Sequence, residues 1–443
     1  MKKNYDLIIK NGNVISHHGE LLTDIAIKNG KIIDLGNLDK DYSASCFDAK
    51  GLTVLPGLID TQVHFREPGF EQAEDLESGT KGAVLGGITG IFEMPNTNPP
   101  TDTKENLNIK IDLAEKKSWC NYAFYVGATK KNIDYLNELE KSPGCCGVKI
   151  FMGASTGNLL VPDDKNLEKI LSNVSRRVAV HCEDNELLEE RKHLKGNKPH
   201  NHPIWRDEET AFKATKRLLN IARKLNKRVH VLHITTAKEI ELLKSYKDIA
   251  TVEVTPQHLT LYSPNCYDRL GTYAQMNPPI RSSDNMLGLI KAVKQGVVDI
   301  IGSDHAPHTK ENKEKAYPFS PSGMPGVQTI VPMMLDHVSQ GNLSIFTLVD
   351  LMSYGPAKIF GLINKGRIAV GYDADLTIVD LNAKKTISNQ WIVSKCGWTQ
   401  FDNFKVRGWP IATIINGSFV MKDGDLLSKP KNKQFKFFET QNI

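Results

Sequence analysis

Several side chains that can bind a metal ion or transfer a proton lie inside or directly after short apolar runs. Three are histidines, one is an aspartate and one is a lysine: His64, Lys149, His181, His233 and Asp304. Imidazole nitrogens and carboxylate oxygens together suit a borderline metal ion such as zinc. A single histidine after a strand is more often a satisfied core residue. Three on separate runs, together with an aspartate, favour a metal centre.

Lys149 differs from the other four because it stands inside the apolar run Gly147–Phe151. A bare ammonium in such a strand costs several kcal/mol unless it is paired or modified. Burial also makes a lysine nucleophilic, so it could add CO₂ and become a carbamate that bridges two metal ions. The plainer alternative is a lysine whose end reaches solvent from a core strand.

The middle of the chain supplies the strands that must position these residues. Short β-branched runs alternate there with helical patterns, which predicts a parallel sheet. Eight such runs can be counted, at 54–59, 90–94, 121–126, 148–151, 177–180, 229–233, 251–254 and 298–302. Eight βα units over about 300 residues match a (β/α)₈ barrel, whose strand ends converge on one face. A doubly wound sheet is the alternative, but the chain has no G-x-G-x-x-G motif.

Both ends of the chain are rich in β patterns. The pairs Asn11-Gly12, Asn29-Gly30 and Asn416-Gly417 stand beside apolar runs and predict hairpins. The fold class is therefore α/β, a (β/α)₈ TIM-type barrel with a small β-sandwich domain built from both termini. The expected boundaries are 1–53 and 366–443 for the small domain and 54–365 for the barrel.

Composition excludes several classes of function. The chain has 443 residues, enough for one large and one smaller domain, and a net charge of +5 from scattered lysines. No basic run interleaved with aromatics predicts nucleic-acid binding, and no run of about 18 apolar residues predicts a membrane span. Seven cysteines without a C-x-x-C pair argue against a disulfide framework and favour a reducing cytoplasm.

The whole pattern resembles the dihydroorotases of the amidohydrolase superfamily, in their bacterial type-I form. The resemblance covers nearly the whole chain, and its motifs together are highly specific. The segments that carry it are Asp60–Gly69, Glu93–Thr97, Gly147–Gly153, Val180–Asp184, His230–Ala237, Met276–Arg281, Asp299–Thr309 and Pro321–Gly326.

This resemblance implies one or two zinc ions per subunit and a Lys149 that is carboxylated on its side-chain nitrogen. His64, Lys149 and Asp304 would hold one ion. Lys149, His181 and His233 would hold the other. Asp304 would also act as the general base and acid, taking a proton from the attacking water and returning it to the leaving ring nitrogen.

The implied reaction is the reversible hydrolysis of L-dihydroorotate to N-carbamoyl-L-aspartate in de novo pyrimidine biosynthesis. Arg66 and Asn96 would bind the substrate carboxylate, His308 would assist, and Asn277 would contact the pyrimidine ring. A guanidinium suits this task because it forks onto a carboxylate. The alternative for Arg66 is a salt bridge to adjacent Glu67, and for the two asparagines it is turn chemistry beside proline.

Two positions depart from the family pattern. Gln62 stands where relatives usually have the first histidine of His-x-His, and Gln257 precedes His258 where many have a histidine pair. The first departure predicts two unequal metal positions. Between two of the site motifs, the charged and proline-containing segment 310–322 is either a lid or a plain solvated loop.

Two rival functions remain open at this stage. Hydantoinases and allantoinases share the barrel and the metal set, but their substrates lack a comparable ring carboxylate. A non-catalytic homologue could instead support a partner such as aspartate carbamoyltransferase, which Gln62 favours and the retained metal residues oppose. The expected partners are a small-molecule substrate, a second copy in a homodimer and aspartate carbamoyltransferase.

Overall fold

The computed structural model describes residues 5–17, 19–154, 159–431 and 433–440. The strands are β1 (Leu7–Ser16), β2 (Gly19–Lys28), β3 (Lys31–Gly36), β4 (Cys46–Asp48), β5 (Thr53–Pro56), β6 (Leu58–Val63), β7 (Ile88–Glu93), β8 (Asn121–Gly127), β9 (Cys145–Phe151), β10 (Val178–His181), β11 (Val229–Val231), β12 (Ala250–Val254), β13 (Ile300–Ile301), β14 (Leu376–Thr386), β15 (Lys405–Ile415), β16 (Ser418–Lys422) and β17 (Asp425–Leu426).

The α-helices are α1 (Leu76–Leu85), α2 (Lys104–Lys117), α3 (Leu136–Leu139), α4 (Asp164–Asn173), α5 (Asn185–Glu190), α6 (His202–Trp205), α7 (Glu208–Lys224), α8 (Ala237–Lys244), α9 (Pro256–Thr260), α10 (Asn265–Leu270), α11 (Ser283–Lys294), α12 (Lys310–Lys313), α13 (Ile330–Ser339), α14 (Ile345–Val349) and α15 (Gly355–Phe360). Within the described ranges, no helix has the length and apolar character that crossing a membrane requires.

Strands β6 to β13 form one parallel sheet in chain order. The sheet closes on itself, because Val63 at the end of β6 bridges His305 just after β13, and the amide of His64 donates to the His305 carbonyl at 2.7 Å. Helices between the strands cover the outside, so the strands are buried on both faces. The predicted (β/α)₈ barrel is confirmed, and each of its eight strands overlaps one of the eight candidate runs.

The first candidate run, 54–59, proves to be parts of two strands. β5 pairs with β1 and β14 in the second sheet, whereas β6 begins the barrel. Gly57 lies between them where the chain has little space, since a Cβ there would approach Thr89 Oγ1 to 2.5 Å and Asp375 Cβ to 2.7 Å. The sequence pattern predicts one strand because both halves of the run are apolar and buried.

The second sheet is mixed and contains β1 to β5 together with β14 to β17. It bends over itself, so the β2–β3 turn reaches β14 and β15. The Ala374 amide donates to the Gly30 carbonyl at 2.9 Å, and Gly417 packs against Ile27. Both ends of the chain therefore build this sheet, as predicted, and the hairpins at Asn29-Gly30 and Asn416-Gly417 are confirmed.

The predicted hairpin at Asn11-Gly12 is wrong, because these residues form a bulge inside the continuous strand β1. The register with β2 shifts between Ile9 and Gly12, and Asn11 adopts a positive φ of 56°. Asp24 accepts a hydrogen bond from the Asn11 amide at 2.8 Å, which fixes the bulge. Asn-Gly supplies the positive φ that both a turn and a bulge can use.

The end of the chain returns to the barrel. Gln434 bridges Tyr122 at the start of β8, so the segment lies at the N-terminal ends of the barrel strands. Phe435 and Phe437 are buried against Phe92, with ring centroids 5.6 Å and 6.0 Å from it. The stretch 429–436 is also rich in lysine. Its lysines are exposed, but the aromatic residues beside them close the bottom of the barrel.

Replacing Phe435 by alanine should lower the free energy of unfolding by about 3–5 kcal/mol, because a buried ring leaves a cavity when it is removed. Phe438→Ala is the matched control, since that ring is 63% exposed. Urea unfolding of both variants checks the prediction. Equal stabilities would show that the aromatic segment does not contribute to the barrel core.

Candidate active site

One cavity at the C-terminal ends of the barrel strands brings together the predicted site residues, with the exception of His308. Its walls are Gln62, His64, Arg66, Asn96, Lys149, Phe151, His181, His233, Asn277, Asp304, Ala306, Ser322 and Gly323. His308 lies just behind, with its Nε2 3.5 Å from an Arg66 guanidinium nitrogen. The barrel therefore juxtaposes residues from seven of its strands or the loops that follow them.

The first group in the cavity is built around His64, the residue after β6. Its Nδ1 is 2.7 Å from Asn96 Oδ1, and its Nε2 is 3.2 Å from Asp304 Oδ1. An amide oxygen only accepts, so Nδ1 carries the proton when the ring is neutral. Burial lowers the pKa of His64, which leaves an Nε2 lone pair facing a carboxylate oxygen. The Nε2 lone pair and the carboxylate oxygen are both acceptors. A contact between them at this distance is stabilised when a metal cation or a proton lies between the two atoms.

Gln62 contacts the same carboxylate. Its side-chain nitrogen donates to Asp304 Oδ1 at 3.0 Å, while its Oε1 is buried and has no hydrogen-bond partner among the described residues. The glutamine therefore presents a donor to Asp304, where an imidazole could have presented a lone pair to a metal ion. Its Oε1 remains as a weak oxygen ligand.

The second group contains His181, at the end of β10, and His233, which follows β11. Nδ1 of the first ring lies 3.1 Å from Nε2 of the second. Glu183 Oε2 approaches His181 Nε2 at 3.0 Å, which leaves Nδ1 as the lone pair facing His233. Burial lowers the pKa of both histidines, and the Lys149 charge lowers them further. Two neutral rings with converging nitrogens can bind a metal ion.

Lys149, in β9, is only 1% exposed, so a lysine that reaches solvent is the wrong interpretation. Its ammonium has no hydrogen bond or ion pair within the described ranges and stands 4.5 Å from the centre of the Phe151 ring. Burial lowers the pKa of Lys149 to about 7. An unpaired amine of this kind is available to react.

The metal-binding capacity of the site depends on that lysine. Among the residues that the structure describes, no three His, Cys, Asp or Glu side chains converge as a metal centre does. Two pairs, His64 with Asp304 and His181 with His233, line the cavity with Lys149. An ammonium repels a metal ion, whereas a carbamate on the same nitrogen would add oxygen ligands to both pairs. The donor set fits a metal once Lys149 is modified.

Arg66 is a buried cation, 3% exposed, and no carboxylate of a described residue forms an ion pair with it. Its Nε donates to the Pro307 carbonyl at 3.2 Å. The salt bridge considered with Glu67 is not formed, because Glu67 pairs with Lys117 and accepts from the Leu76 amide. Burial lowers the pKa of Arg66 to about 10, so the guanidinium stays charged at neutral pH.

Three site residues hold the left-handed backbone conformation that non-glycine residues rarely adopt. The φ angles are 62° at Arg66, 38° at His233 and 46° at Asp304. Each such residue costs roughly 1–3 kcal/mol and persists only where the surroundings hold it. Beside Asp304, the Gln257 side chain donates to the Ser303 carbonyl at 2.7 Å. Gln257 therefore positions the loop that carries Asp304.

Two positioning residues are absent from the set predicted by the sequence. Glu183 supports His181 and is held in turn by Arg206, and its motif was recognised without a role for the carboxylate. His202, in α6, approaches Asn277 Oδ1 at 3.0 Å and also the Met276 carbonyl at 3.0 Å. No local pattern marks His202, because its partners lie far away in the sequence.

The family model described as "Amidohydrolase family" matches residues 53–420. The chain therefore belongs to the amidohydrolase family. Within it, the dihydroorotase of Methanosarcina mazei is 34% identical over 97% of each chain. The dihydroorotase of Pyrococcus furiosus is 37% identical over 93% of this chain and 91% of its own.

Solved structures of hydantoinases share the fold. The L-hydantoinase (dihydropyrimidinase) of Arthrobacter aurescens superposes with a TM-score of 0.92 and is 29% identical, covering 97% of this chain and 99% of its own. The sequence relatives and the structural relatives thus carry two different names within one family of cyclic amidohydrolases.

Proposed function

We propose that this protein is a zinc-dependent dihydroorotase that hydrolyses L-dihydroorotate reversibly to N-carbamoyl-L-aspartate in pyrimidine biosynthesis. The observation that carries the proposal is the buried guanidinium of Arg66 on the cavity wall, without a carboxylate partner among the described residues. A buried cation is costly until an anion joins it, and a ring carboxylate supplies that anion. Dihydroorotate has this carboxylate, and the names of the sequence relatives agree with it.

The substrate would be held by Arg66, Asn96 and Asn277. Asn96 Oδ1 is already engaged with His64, so its side-chain nitrogen is the group that donates to the carboxylate. His202 engages Asn277 Oδ1 in the same way and so presents the Asn277 amide nitrogen to a ring carbonyl. The two asparagines therefore act as donors whose orientation is fixed by histidines.

Asp304 is the group that moves the proton. It takes a proton from the attacking water and passes it to the ring nitrogen that leaves. Gln62 and His64 both contact Oδ1, which leaves Oδ2 to exchange the proton. A bound zinc ion would lower the pKa of water toward neutrality and polarise the amide carbonyl.

The hydantoinase alternative rests on the structural relatives. Their names refer to hydantoins and dihydropyrimidines, rings that lack the carboxylate of dihydroorotate. A buried Arg66 without a carboxylate partner would have no function toward such rings. A non-catalytic support for aspartate carbamoyltransferase has no need of this cavity. A homodimer, an association with that enzyme and a cytoplasmic location stay predictions from the sequence.

Arg66→Lys and Arg66→Gln should each lower kcat/KM for dihydroorotate by roughly tenfold to over a hundredfold. The reason is that a lost charge-assisted hydrogen bond costs about 1.5–3 kcal/mol. Lysine keeps the charge but loses the fork. The control is Arg223→Gln, which removes an exposed surface pair with Asp248. If the natural protein hydrolyses dihydrouracil as well as dihydroorotate, the hydantoinase function replaces the one proposed.

Carboxylation of Lys149 has its own test. Lys149→Ala should abolish activity, and short carboxylic acids should restore part of it by replacing the carbamate. The matched control is Lys110→Ala, because Lys110 is equally buried but forms an ion pair with Glu93. The same acids should not rescue that variant. An alanine variant at 149 that keeps the natural rate contradicts the carbamate.

The two metal positions should be unequal because Gln62 directs a donor toward Asp304. The position served by Lys149, His181 and His233 should bind metal more tightly, by about tenfold or more. Gln62→His should narrow this gap by adding an imidazole ligand. Metal titration into stripped protein, followed by calorimetry, measures both affinities without reference to activity. Two equally tight ions, unchanged in the histidine variant, would show that Gln62 does not affect metal binding.

A further inference from the structure

The segment from Lys310 to Gly323 borders the cavity. It begins with the short helix α12 and ends at Ser322 and Gly323, which belong to the cavity wall. His308 donates from Nε2 to the Ser322 carbonyl at 3.0 Å, so the segment also touches the group behind Arg66. The segment is therefore part of the site.

The free space within the cavity is small in this arrangement. Water-sized molecules have about 20 Å³ available within it. A single water needs about 10–15 Å³ by this measure. A six-membered ring with a carboxylate does not fit into such a space unless a wall moves. The segment 310–323 is a wall that lies outside the barrel strands, so it can move without disrupting them.

Lys313 connects this segment to a neighbouring part of the chain. Its side chain is 0% exposed, and its ammonium donates to the carbonyls of Gln275 at 3.3 Å, Pro321 at 2.9 Å and Gly323 at 3.2 Å. Gln275 lies two residues before Asn277, which belongs to the cavity wall, and next to Gly323 in space. One ammonium thus ties the two walls together.

We propose that Lys313 is a positioning residue that latches segment 310–323 over the active site and releases it for substrate exchange, an inference that rests on the proposed function. Other bonds join the same two walls. The Gly323 amide donates to the Gln275 carbonyl at 2.8 Å, and Ser320 donates from its hydroxyl to the Gln275 side-chain oxygen.

The chemistry of the latch makes it reversible. No carboxylate forms an ion pair with Lys313 in the described part of the chain, and burial alone lowers the pKa of Lys313 to about 7. Carbonyl dipoles offset only part of the free-energy cost of burying the ammonium. When the segment opens, water solvates the ammonium again. A carboxylate partner would hold the segment permanently. Carbonyls alone leave the open and closed states close in free energy.

The test compares Lys313→Met with Lys315→Met. Both replace a lysine of the same segment, but Lys315 is exposed and donates only to Asn312. In the substrate-free protein, hydrogen exchange of the amides at 306–324 should accelerate at least about tenfold in the Lys313 variant alone. Exchange in β6 to β12 should not change. Unchanged exchange in the segment, or equal acceleration through the barrel strands, overturns the latch.

Steady-state kinetics are then measured on the same two variants. The Lys313 variant should raise KM for dihydroorotate more than it lowers kcat, and added substrate should no longer slow exchange in the segment. If Lys313→Met does not fold, Lys313→Gln, which keeps an amide donor, should show a smaller acceleration in the same amides. If the segment amides of both Lys313 variants exchange at the same rate as in the natural protein, the proposal is contradicted. Accelerated exchange in a protein that does not turn over dihydroorotate would refute the proposed function and keep the latch.

Discussion

Buried positive charge without a carboxylate partner is the constraint on which the site depends. Lys149, Arg66 and Lys313 are all buried, and none has an ion pair within the described ranges. Some other buried cations of the barrel form an ion pair, as Lys110 does with Glu93, whereas Arg281 donates to the Thr235 hydroxyl and the Arg206 carbonyl. Because an unpaired buried charge is costly, each of the three requires something else to compensate it. The group that compensates the buried charge differs at the three positions, and so does the proposed role of each residue.

For Lys149 the proposed compensation is covalent, because carboxylation would turn the cation into an anion that metal ions could neutralise. For Arg66 the proposed compensation is the substrate, so the cost of burial would favour a ligand with a carboxylate over one without. For Lys313 it is a set of three carbonyl groups, one of them outside the segment that carries the lysine. In the proposed function, catalysis, specificity and closure would thus all depend on a buried cation, and the same feature would distinguish this cavity from one that binds an uncharged ring.

Barrel closure is what places these groups within reach of one another. His64 and Asp304 lie 240 residues apart in the chain and 3.2 Å apart in space. The contact exists because β6 follows β13 around the barrel and their ends meet. Left-handed backbone at Arg66, His233 and Asp304 then turns the side chains inward, and residues such as Gln257 and Asp60 hold that backbone in place. Asp60 does so by accepting from the Ser303 amide at 3.0 Å.

The sequence by itself determined the elements, since apolar periodicity, Asn-Gly pairs and polar residues after strands are local signals. It therefore predicted the barrel, the β-rich ends and nine candidate site residues, eight of which line the cavity. Other features depended on residues distant in the chain, and only the tertiary structure decided them. Asn11-Gly12 became a bulge because β5 and Asp24 lie beside it, and Lys313 was buried because Gln275 and Gly323 meet above it. A local pattern indicates which chemistry a residue can perform. The residues that pack around it in the tertiary structure determine its contacts and therefore its role.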